Sequence, residues 1–299
     1  MIEIHIDSNL ISLELVYNWV ISWHGFFSFI GVAVSLYLLG RWAPLAGKTP
    51  QGKQLVTSDD IYSTAVWVII GGVLGARVVH VIDYWGDIYS ENPMQVFAIY
   101  SGGIGLWGGI IGGFVGGAAY CLFAKLPLGV IADLTAPVLP FAQSIGRLGD
   151  IVNGEHCAKA TDLFFGMQWT HEASPARLCP NGIVNHAHPV IVYEMLWNAI
   201  AMIVLWRLRG RLRPDGMLFA LYASLYAVGR FGITFLREDR VWALGMQEAH
   251  FIALLVLIVT VPLLLVKARF AVPAWATGDP DAMLVREKGT RAERRRRRR

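Results

Sequence analysis

Residues 251–266 read FIALLVLIVTVPLLLV, a stretch without a charged side chain. A helix needs about 20 mostly apolar residues to cross the hydrocarbon core of a bilayer, and this stretch reaches that length with its flanks. The chain of 299 residues is similar throughout, because 55% of its residues are hydrophobic and only 16% are charged. Soluble globular chains carry roughly 25% charged residues. The sequence therefore excludes a disordered chain, a disulfide scaffold and an ordinary cytosolic enzyme, and it predicts an integral membrane protein.

Several stretches of the sequence are long and apolar enough to span a bilayer. They lie near residues 20–40, 62–83, 104–124, 128–146, 189–206, 216–236 and 249–267. The fourth is interrupted by Asp133, Pro137 and Pro140, and a membrane tolerates such a segment only where its polar groups face protein or a wet cavity. We expect an all-α polytopic membrane protein with about seven transmembrane helices, the fourth of them broken.

Basic residues are concentrated after the first, third, fifth and seventh predicted spans, and they are scarce on the alternate side. Residues 1–19 contain no Lys or Arg, so the basic region of a cleavable signal peptide is missing. The positive-inside rule then places the N-terminus outside and the C-terminus in the cytoplasm. We expect a transmembrane domain at residues 1–272, with a small external head segment at about 147–187, and a disordered basic tail at 273–299.

Ionisable residues in or beside a span are candidates for a functional site, because lipid penalises charge. They occur in four places: Arg77 with His80 and Asp83; Asp133; Arg147 with Asp150 and Glu155; and Tyr226 with Arg230 and Arg237. Guanidinium groups at headgroup depth suit phosphate oxygens, which favours an anionic phospholipid as ligand. The alternative is an internal network in which Arg77 pairs with Asp83, and Arg147 with Asp133 or Glu155.

Other kinds of site are not indicated by the sequence. The glycines of residues 102–117 fall inside an apolar span, where small residues favour close helix packing over phosphate binding. The histidines show no metal-ligand spacing, so we expect no metal and no cofactor, and no nucleic-acid partner is indicated. Cys157 and Cys179 in the head segment are equally compatible with a disulfide and with two free thiols.

Residues 146–155, GRLGDIVNGE, resemble the signature G-R-x-G-N-F-x-N-x-E of the prolipoprotein diacylglyceryl transferases. Further motifs resemble that family in the same order: WHG at 23–25, GAR at 75–77, WGGIIG at 107–112, HP with YE at 188–194, and YAVGRF with FLR at 226–237. The family transfers a diacylglyceryl group from phosphatidylglycerol to the lipobox cysteine thiol of a prolipoprotein, forming a thioether and releasing glycerol phosphate. The resemblance therefore implies a catalytic transmembrane domain in the bacterial inner membrane, which would use phosphatidylglycerol, prolipoprotein and membrane lipid.

The resemblance also implies roles for the charged residues. Arg147 and Arg230 would clamp the lipid phosphate from opposite sides of a pocket. The other predicted substrate-binding residues are Asp133, Asn153, Glu155, Tyr226, Arg237 and Arg77. Among them, Asn153 and Glu155 would hold the headgroup glycerol or orient Arg147. His188 and Glu194 are expected to be structural, at the junction of a loop and a helix.

The sequence departs from the family pattern at several positions. Trp107 stands where many members have His, and His24 stands where they have Tyr. An imidazole has an ordinary pKa near 6.5 and can accept a thiol proton at neutral pH, so we hypothesise that His24 supplies the base. The alternative is a histidine packed at the head of the first span. Asp150 replaces Asn and could neutralise Arg147, and Thr234 replaces Glu.

Two other functions stay open from the sequence. A relative that kept the fold but lost catalysis through these substitutions would bind anionic phospholipid or act as a scaffold. A small-solute transporter is the other candidate, but no inverted repeat is visible and the polar residues are concentrated on one side, which argues against alternating access.

Overall fold

The computed structural model describes residues 1–14, 18–47, 53–98, 103, 105–179 and 186–271. Within these ranges the chain is mostly helical, with helices α1 (Trp23–Trp42), α2 (Ser58–Asp83), α3 (Leu106–Phe123), α4 (Leu128–Thr135), α5 (Val138–Asn153), α6 (Val190–Leu208), α7 (Met217–Thr234) and α8 (Glu248–Lys267). The predicted basic tail at residues 273–299 lies outside the described residues.

Six of these helices, α1, α2, α3, α6, α7 and α8, are long and apolar enough to cross a membrane. The short helix α4 and the following α5 are bent by 43° at the break between them, and together they form a seventh candidate span. These helices confirm the polytopic all-α prediction, and the break between α4 and α5 falls within the predicted fourth span. Helix α5 continues to Asn153, so Arg147 and Asp150, at the start of the predicted head segment, are helical residues.

Among the described residues, short strands pair outside the helices. Strands β1 (Ile2–Ile4) and β4 (Met167–Trp169) are parallel, whereas three other pairs are antiparallel: β2 (Asn9–Glu14) with β3 (Asn18–Ser22), β5 (Leu212–Arg213) with β8 (Arg269–Phe270), and β6 (Val241–Ala243) with β7 (Met246–Gln247). The head segment is crossed by a disulfide between Cys157 and Cys179, which decides between the two alternatives that the sequence left open.

The described residues divide into two compact units. The second unit, Leu39–Ile131, contains α2 and α3, which pack backbone to backbone through glycines. A Cβ atom on Gly75 would lie closer than 3.0 Å to the carbonyl oxygen of Gly108, and one on Gly112 would meet the carbonyl oxygen of Gly71 in the same way. Small residues permit this close approach, as expected for the glycines of α3.

The first unit, formed by Met1–Leu38 and the described residues from Ala132 onwards, contains the other long helices. Helix α5 packs on α6, and α6 packs on α7. The start of α1 approaches α5 at Gly149, where an added Cβ would lie 2.5 Å from the Cα of His24. Helix α5 ends at Asn153 and is capped by Gly154, whose φ of +70° is left-handed and therefore favours glycine.

Candidate functional site

Glu194, on α6, lies at the centre of a group of arginines from three parts of the chain. Its Oε2 atom is 2.6 Å from Nη2 of Arg147 on α5. Its Oε1 atom is 2.7 Å from Nη1 of Arg230 on α7 and 3.6 Å from Nη1 of Arg237, which follows α7. The Glu194 side chain is only 9% exposed. We call Glu194 and these three arginines the arginine cluster.

Asp150 provides a second buried carboxylate beside the cluster, and its side chain is 1% exposed. Its Oδ2 atom accepts a hydrogen bond of 2.5 Å from Nη1 of Arg147, while its Oδ1 atom contacts Nδ1 of His24. His156 lies on the other side, with Nε2 2.8 Å from the same Arg147 nitrogen. Asp150 therefore pairs with Arg147, as the sequence suggested, and it also holds His24.

Arg237 is positioned by backbone contacts of the head segment. The amide of Glu238 donates to the carbonyl oxygen of Cys157 at 3.1 Å, which joins the segment after α7 to the disulfide. The guanidinium of Arg237 donates from Nε to Asp239 at 2.7 Å, and its Nη2 atom is 3.0 Å from Nδ1 of His156. Its Nη1 atom is buried and has no hydrogen-bond acceptor within the part of the chain that the structure describes.

Asn153, the last residue of α5, is 2% exposed and carries a second unsatisfied atom. Its Nδ2 atom donates to Oε1 of Glu155 at 2.7 Å, and its backbone carbonyl accepts from the hydroxyl of Ser174 at 2.7 Å. The side-chain oxygen Oδ1 is buried without a hydrogen-bond partner among the described residues. The site thus offers a buried donor on Arg237 and a buried acceptor on Asn153.

Three potential metal ligands occur in this region. One ligand atom each from His24, Asp150 and Glu155 lie within 4.8 Å of one another. The guanidinium of Arg147 is bonded to the same Asp150 carboxylate, and its positive charge opposes a cation there. We therefore assign no metal site to these residues.

Tyr226 is on α7 one turn before Arg230, which places both side chains on the same side of the helix. Its ring centre is 6.3 Å from that of Tyr222, whose hydroxyl accepts a hydrogen bond of 3.0 Å from Gln143 on α5. The structure thus places Tyr226 next to the arginine cluster along α7.

Asp133 is not brought to the arginine cluster. Its carboxylate accepts hydrogen bonds of 2.9 Å from the backbone amides of Gly216 and Phe219, at the start of α7. Gly216 has no side chain with which to cap that helix, so Asp133 on α4 satisfies its free amides and complements its dipole. Arg230 lies about 20 Å further along α7, at 1.5 Å per residue.

Arg77 belongs to the second unit, and its guanidinium contacts backbone carbonyl oxygens there. It is 5% exposed and donates to the carbonyl oxygens of Gln95, Val96 and Gly103. Its guanidinium also lies 5.4 Å from the centre of the Tyr89 ring. These contacts fix the segment between α2 and α3 onto α2.

Sequence reasoning missed three members of the site. Glu194 was expected to be structural, yet it contacts all three arginines, and His156 and Asp239 were not singled out. The signal for Glu194 was its place in the family-like HP and YE motif within a predicted span, where an ionised side chain needs a partner. His156 and Asp239 carry no such signal, because they lie in loops where polar residues are ordinary.

The helices and the buried charges define a class: a multi-pass α-helical membrane protein with a polar site held between its helices. The family model for prolipoprotein diacylglyceryl transferase matches residues 11–266. The chain is 32% identical over 270 residues to a phosphatidylglycerol–prolipoprotein diacylglyceryl transferase of Dehalococcoides mccartyi, covering 90% of this chain and 96% of that protein. It therefore belongs to the prolipoprotein diacylglyceryl transferase family.

Two further relatives carry the same name. One, from Streptomyces griseus, is 33% identical over 251 residues, which cover 82% of this chain and 72% of that protein. The other, from Limosilactobacillus reuteri, is 28% identical over 269 residues, which cover 87% of this chain and 92% of that protein. The resemblance stated from the motifs is thereby confirmed.

Proposed function

We propose that this protein transfers the diacylglyceryl group of phosphatidylglycerol to the lipobox cysteine thiol of a prolipoprotein, forming a thioether and releasing glycerol phosphate. Family membership and the names of the relatives support the reaction. The observation that carries the proposal within this chain is the convergence of Arg147, Arg230 and Arg237 on one buried carboxylate. The alternative is an inactive, lipid-binding relative, and the experiment below distinguishes the two.

The donors of the cluster favour an anionic ligand. Three guanidinium groups that are each less than a quarter exposed face two buried carboxylates, Asp150 and Glu194, and Arg237 also pairs with the more exposed Asp239. The oxygens of a phosphodiester carry negative charge and accept hydrogen bonds from such groups. Each guanidinium has five N–H groups, so pairing with a carboxylate leaves donors for phosphate oxygens. The buried Nη1 of Arg237 is one such donor.

The chemistry uses these arginines at the leaving group. The cysteine thiolate attacks the glycerol carbon that bears the phosphate, a C–S bond forms, and the C–O bond breaks with its electron pair moving to the phosphate oxygen. Negative charge therefore grows on the phosphate in the transition state. Guanidinium groups already fixed by Glu194 and Asp150 stabilise that charge without reorganising, and one such donor is typically worth about 3–4 kcal/mol.

The remaining polar residues would bind the headgroup. The free glycerol of phosphatidylglycerol carries hydroxyl donors, and the unsatisfied Oδ1 of Asn153 is an acceptor of the right kind. Glu155 orients that amide through its bond to Nδ2. Tyr226 and Arg237 would provide further polar contacts to the headgroup. We assign Asp133 to helix capping and Arg77 to the second unit, on the contacts described above.

We further propose that the protein lies in the bacterial inner membrane, with its N-terminus outside and its C-terminus in the cytoplasm. The distribution of basic residues supports this orientation. The disulfide between Cys157 and Cys179 supports it independently, because disulfides persist in oxidising compartments and the orientation places the head segment on that side. The site would then receive both prolipoprotein and phosphatidylglycerol from the outer side of the membrane.

Arg147→Ala and Arg230→Ala test the proposal. Purified protein is incubated with phosphatidylglycerol and a lipobox peptide, and the thioether product is quantified by mass spectrometry. We expect each substitution to lower the rate about 100- to 1,000-fold, because a phosphate donor is lost from the transition state. Arg207→Ala is the matched control, since Arg207 is exposed and lies about 20 Å beyond Glu194 on α6. Wild-type protein that binds phosphatidylglycerol without forming product would establish the inactive alternative instead.

A further inference from the structure

His24 and Asp150 form a contact that the phosphate-binding role does not use. Nδ1 of His24, in the first turn of α1, contacts Oδ1 of Asp150 on α5. The other oxygen of the same carboxylate is 2.5 Å from Nη1 of Arg147. One buried carboxylate therefore fixes an imidazole beside a guanidinium that faces the proposed phosphate.

The backbone is built to permit this contact. Gly149 precedes Asp150, and a Cβ at that position would lie 2.5 Å from the Cα of His24 and 2.7 Å from the carbonyl oxygen of Trp23. Only the absence of a side chain lets the start of α1 approach α5 so closely. The approach brings the imidazole to a carboxylate that is 1% exposed.

The far side of the imidazole is accessible. The His24 side chain is 45% exposed, and its Nε2 atom has no hydrogen-bond partner among the residues that the structure describes. The charged and titratable groups around the ring are Asp150 and Arg147 from α5, and Glu155, whose Oε2 atom is 3.5 Å from Nδ1. His156 faces the opposite oxygen of Asp150 at 3.4 Å.

We propose that His24 is the base that removes the proton of the substrate cysteine thiol, with Asp150 as the positioning residue that holds its ring. The inference rests on the proposed function, which requires a thiolate nucleophile. The S–H proton moves to Nε2 of His24, the thiolate forms the C–S bond, and the phosphate oxygen leaves with the electron pair of the C–O bond. The proton then passes from His24 to the released glycerol phosphate or to water.

Asp150 contributes in two ways. By binding Nδ1–H it selects the tautomer in which Nε2 carries the free electron pair, and its negative charge stabilises the imidazolium that proton transfer creates. Its second oxygen holds Arg147, so the base and the phosphate donor keep a fixed spacing. A carboxylate at position 150 thus serves the base as well as restraining Arg147.

The test compares two lipobox peptides, one with cysteine and one with selenocysteine. A selenol is already ionised at neutral pH and needs no base, whereas a thiol has an ordinary pKa of about 8.5. For His24→Gln we expect the cysteine peptide to react about 100-fold more slowly than with wild type, and the selenocysteine peptide to lose only a few fold. Raising the pH from 7 towards 9 should restore much of the lost cysteine rate.

The ratio of the two rates separates a chemical role from a structural one. Asp150→Asn weakens the grip on Arg147 and slows both peptides, but the selenocysteine-to-cysteine ratio should still rise at least about tenfold. Arg147→Ala should slow both peptides equally and leave the ratio unchanged. His5→Gln is the matched histidine control, since His5 is exposed and contacts Thr170 and His171 away from the cluster.

The possible outcomes distinguish a failure of the base assignment from a failure of the transferase function. Equal losses for both peptides in His24→Gln, with folding verified by gel filtration, would overturn the base assignment and leave the transferase function standing. If the Gln variant does not fold, the same comparison of the two peptides is made with His24→Phe. Wild-type protein that modifies neither peptide would overturn the transferase function, and the base assignment with it.

Discussion

The α2–α3 pair and the arginine cluster hold helices together in lipid by two different means. The first uses glycines, whose missing side chains let two backbones touch. The second uses carboxylates and guanidinium groups that satisfy one another between α5, α6 and the end of α7. Lipid offers no hydrophobic force between helices, so either close packing or polar contact must hold them.

The difference shows which part of the molecule can do chemistry. Where the two backbones of the glycine seam touch there is no room for an added atom, and the seam presents only backbone and carries no reactive group. In the cluster, the removal of one charge leaves its partners buried and unpaired. The two regions should therefore respond to different kinds of substitution, and the following predictions set one against the other.

We expect the largest effect on stability from Glu194→Ala, which takes the shared partner from Arg147 and Arg230. Leaving buried charges unpaired costs up to about 3–5 kcal/mol in the free energy of unfolding. Denaturant unfolding in detergent micelles, followed by circular dichroism, measures it. The control is Glu172→Ala, because Glu172 is exposed in the head segment. A stability equal to wild type would show that the cluster does not hold these helices together.

We expect an intermediate effect from Gly112→Ala on α3. The new Cβ would lie 2.9 Å from the Cα of Gly75, and overpacking of this kind costs about 1–3 kcal/mol. Gly109→Ala on the same helix is the matched control, since its Cβ would meet Ala76 at an ordinary 3.7 Å. That control should be neutral or stabilising by up to about 1 kcal/mol through helix propensity. The same unfolding assay compares them, and equal losses would argue against a glycine seam.

We expect the smallest effect from Asp133→Ala, which removes the cap of α7. Loss of a helix cap costs about 1 kcal/mol, and Asp133→Asn should cost less because its amide oxygen still accepts one bond. The unfolding assay again measures both variants. A loss for the Asn variant as large as for the Ala variant would point to charge, acting on the helix dipole, rather than to hydrogen bonding.

The spans were predictable because each apolar stretch is long enough to cross a bilayer, and this length can be read from the sequence alone. The broken fourth span was also visible, since Pro137 and Asp133 interrupt the stretch. The exact end of α5 was not, because it depends on the left-handed Gly154 and on the packing of Trp169 and Ser174 around it. A single sequence does not show which of several glycines will take that conformation.

The site was predictable in part. The motifs pointed to Arg147 and Arg230, and the structure places both on Glu194. The place of Asp133 could not be read from the chain, because a carboxylate within a span looks the same whether it binds a ligand or caps a helix distant in sequence. The pairing of His24 with Asp150 was also hidden, since it depends on how α1 crosses α5 at Gly149.

The bond between Cys157 and Cys179 has a practical consequence for anyone who prepares this protein. The carbonyl oxygen of Cys157 accepts a hydrogen bond from the amide of Glu238, the residue after Arg237. The disulfide therefore supports the position of the third guanidinium. Reducing agents added during purification would loosen that support without touching any helix. A preparation with normal helical content could then have Arg237 displaced from Glu194 and His156, so the oxidation state of the sample becomes part of its specification.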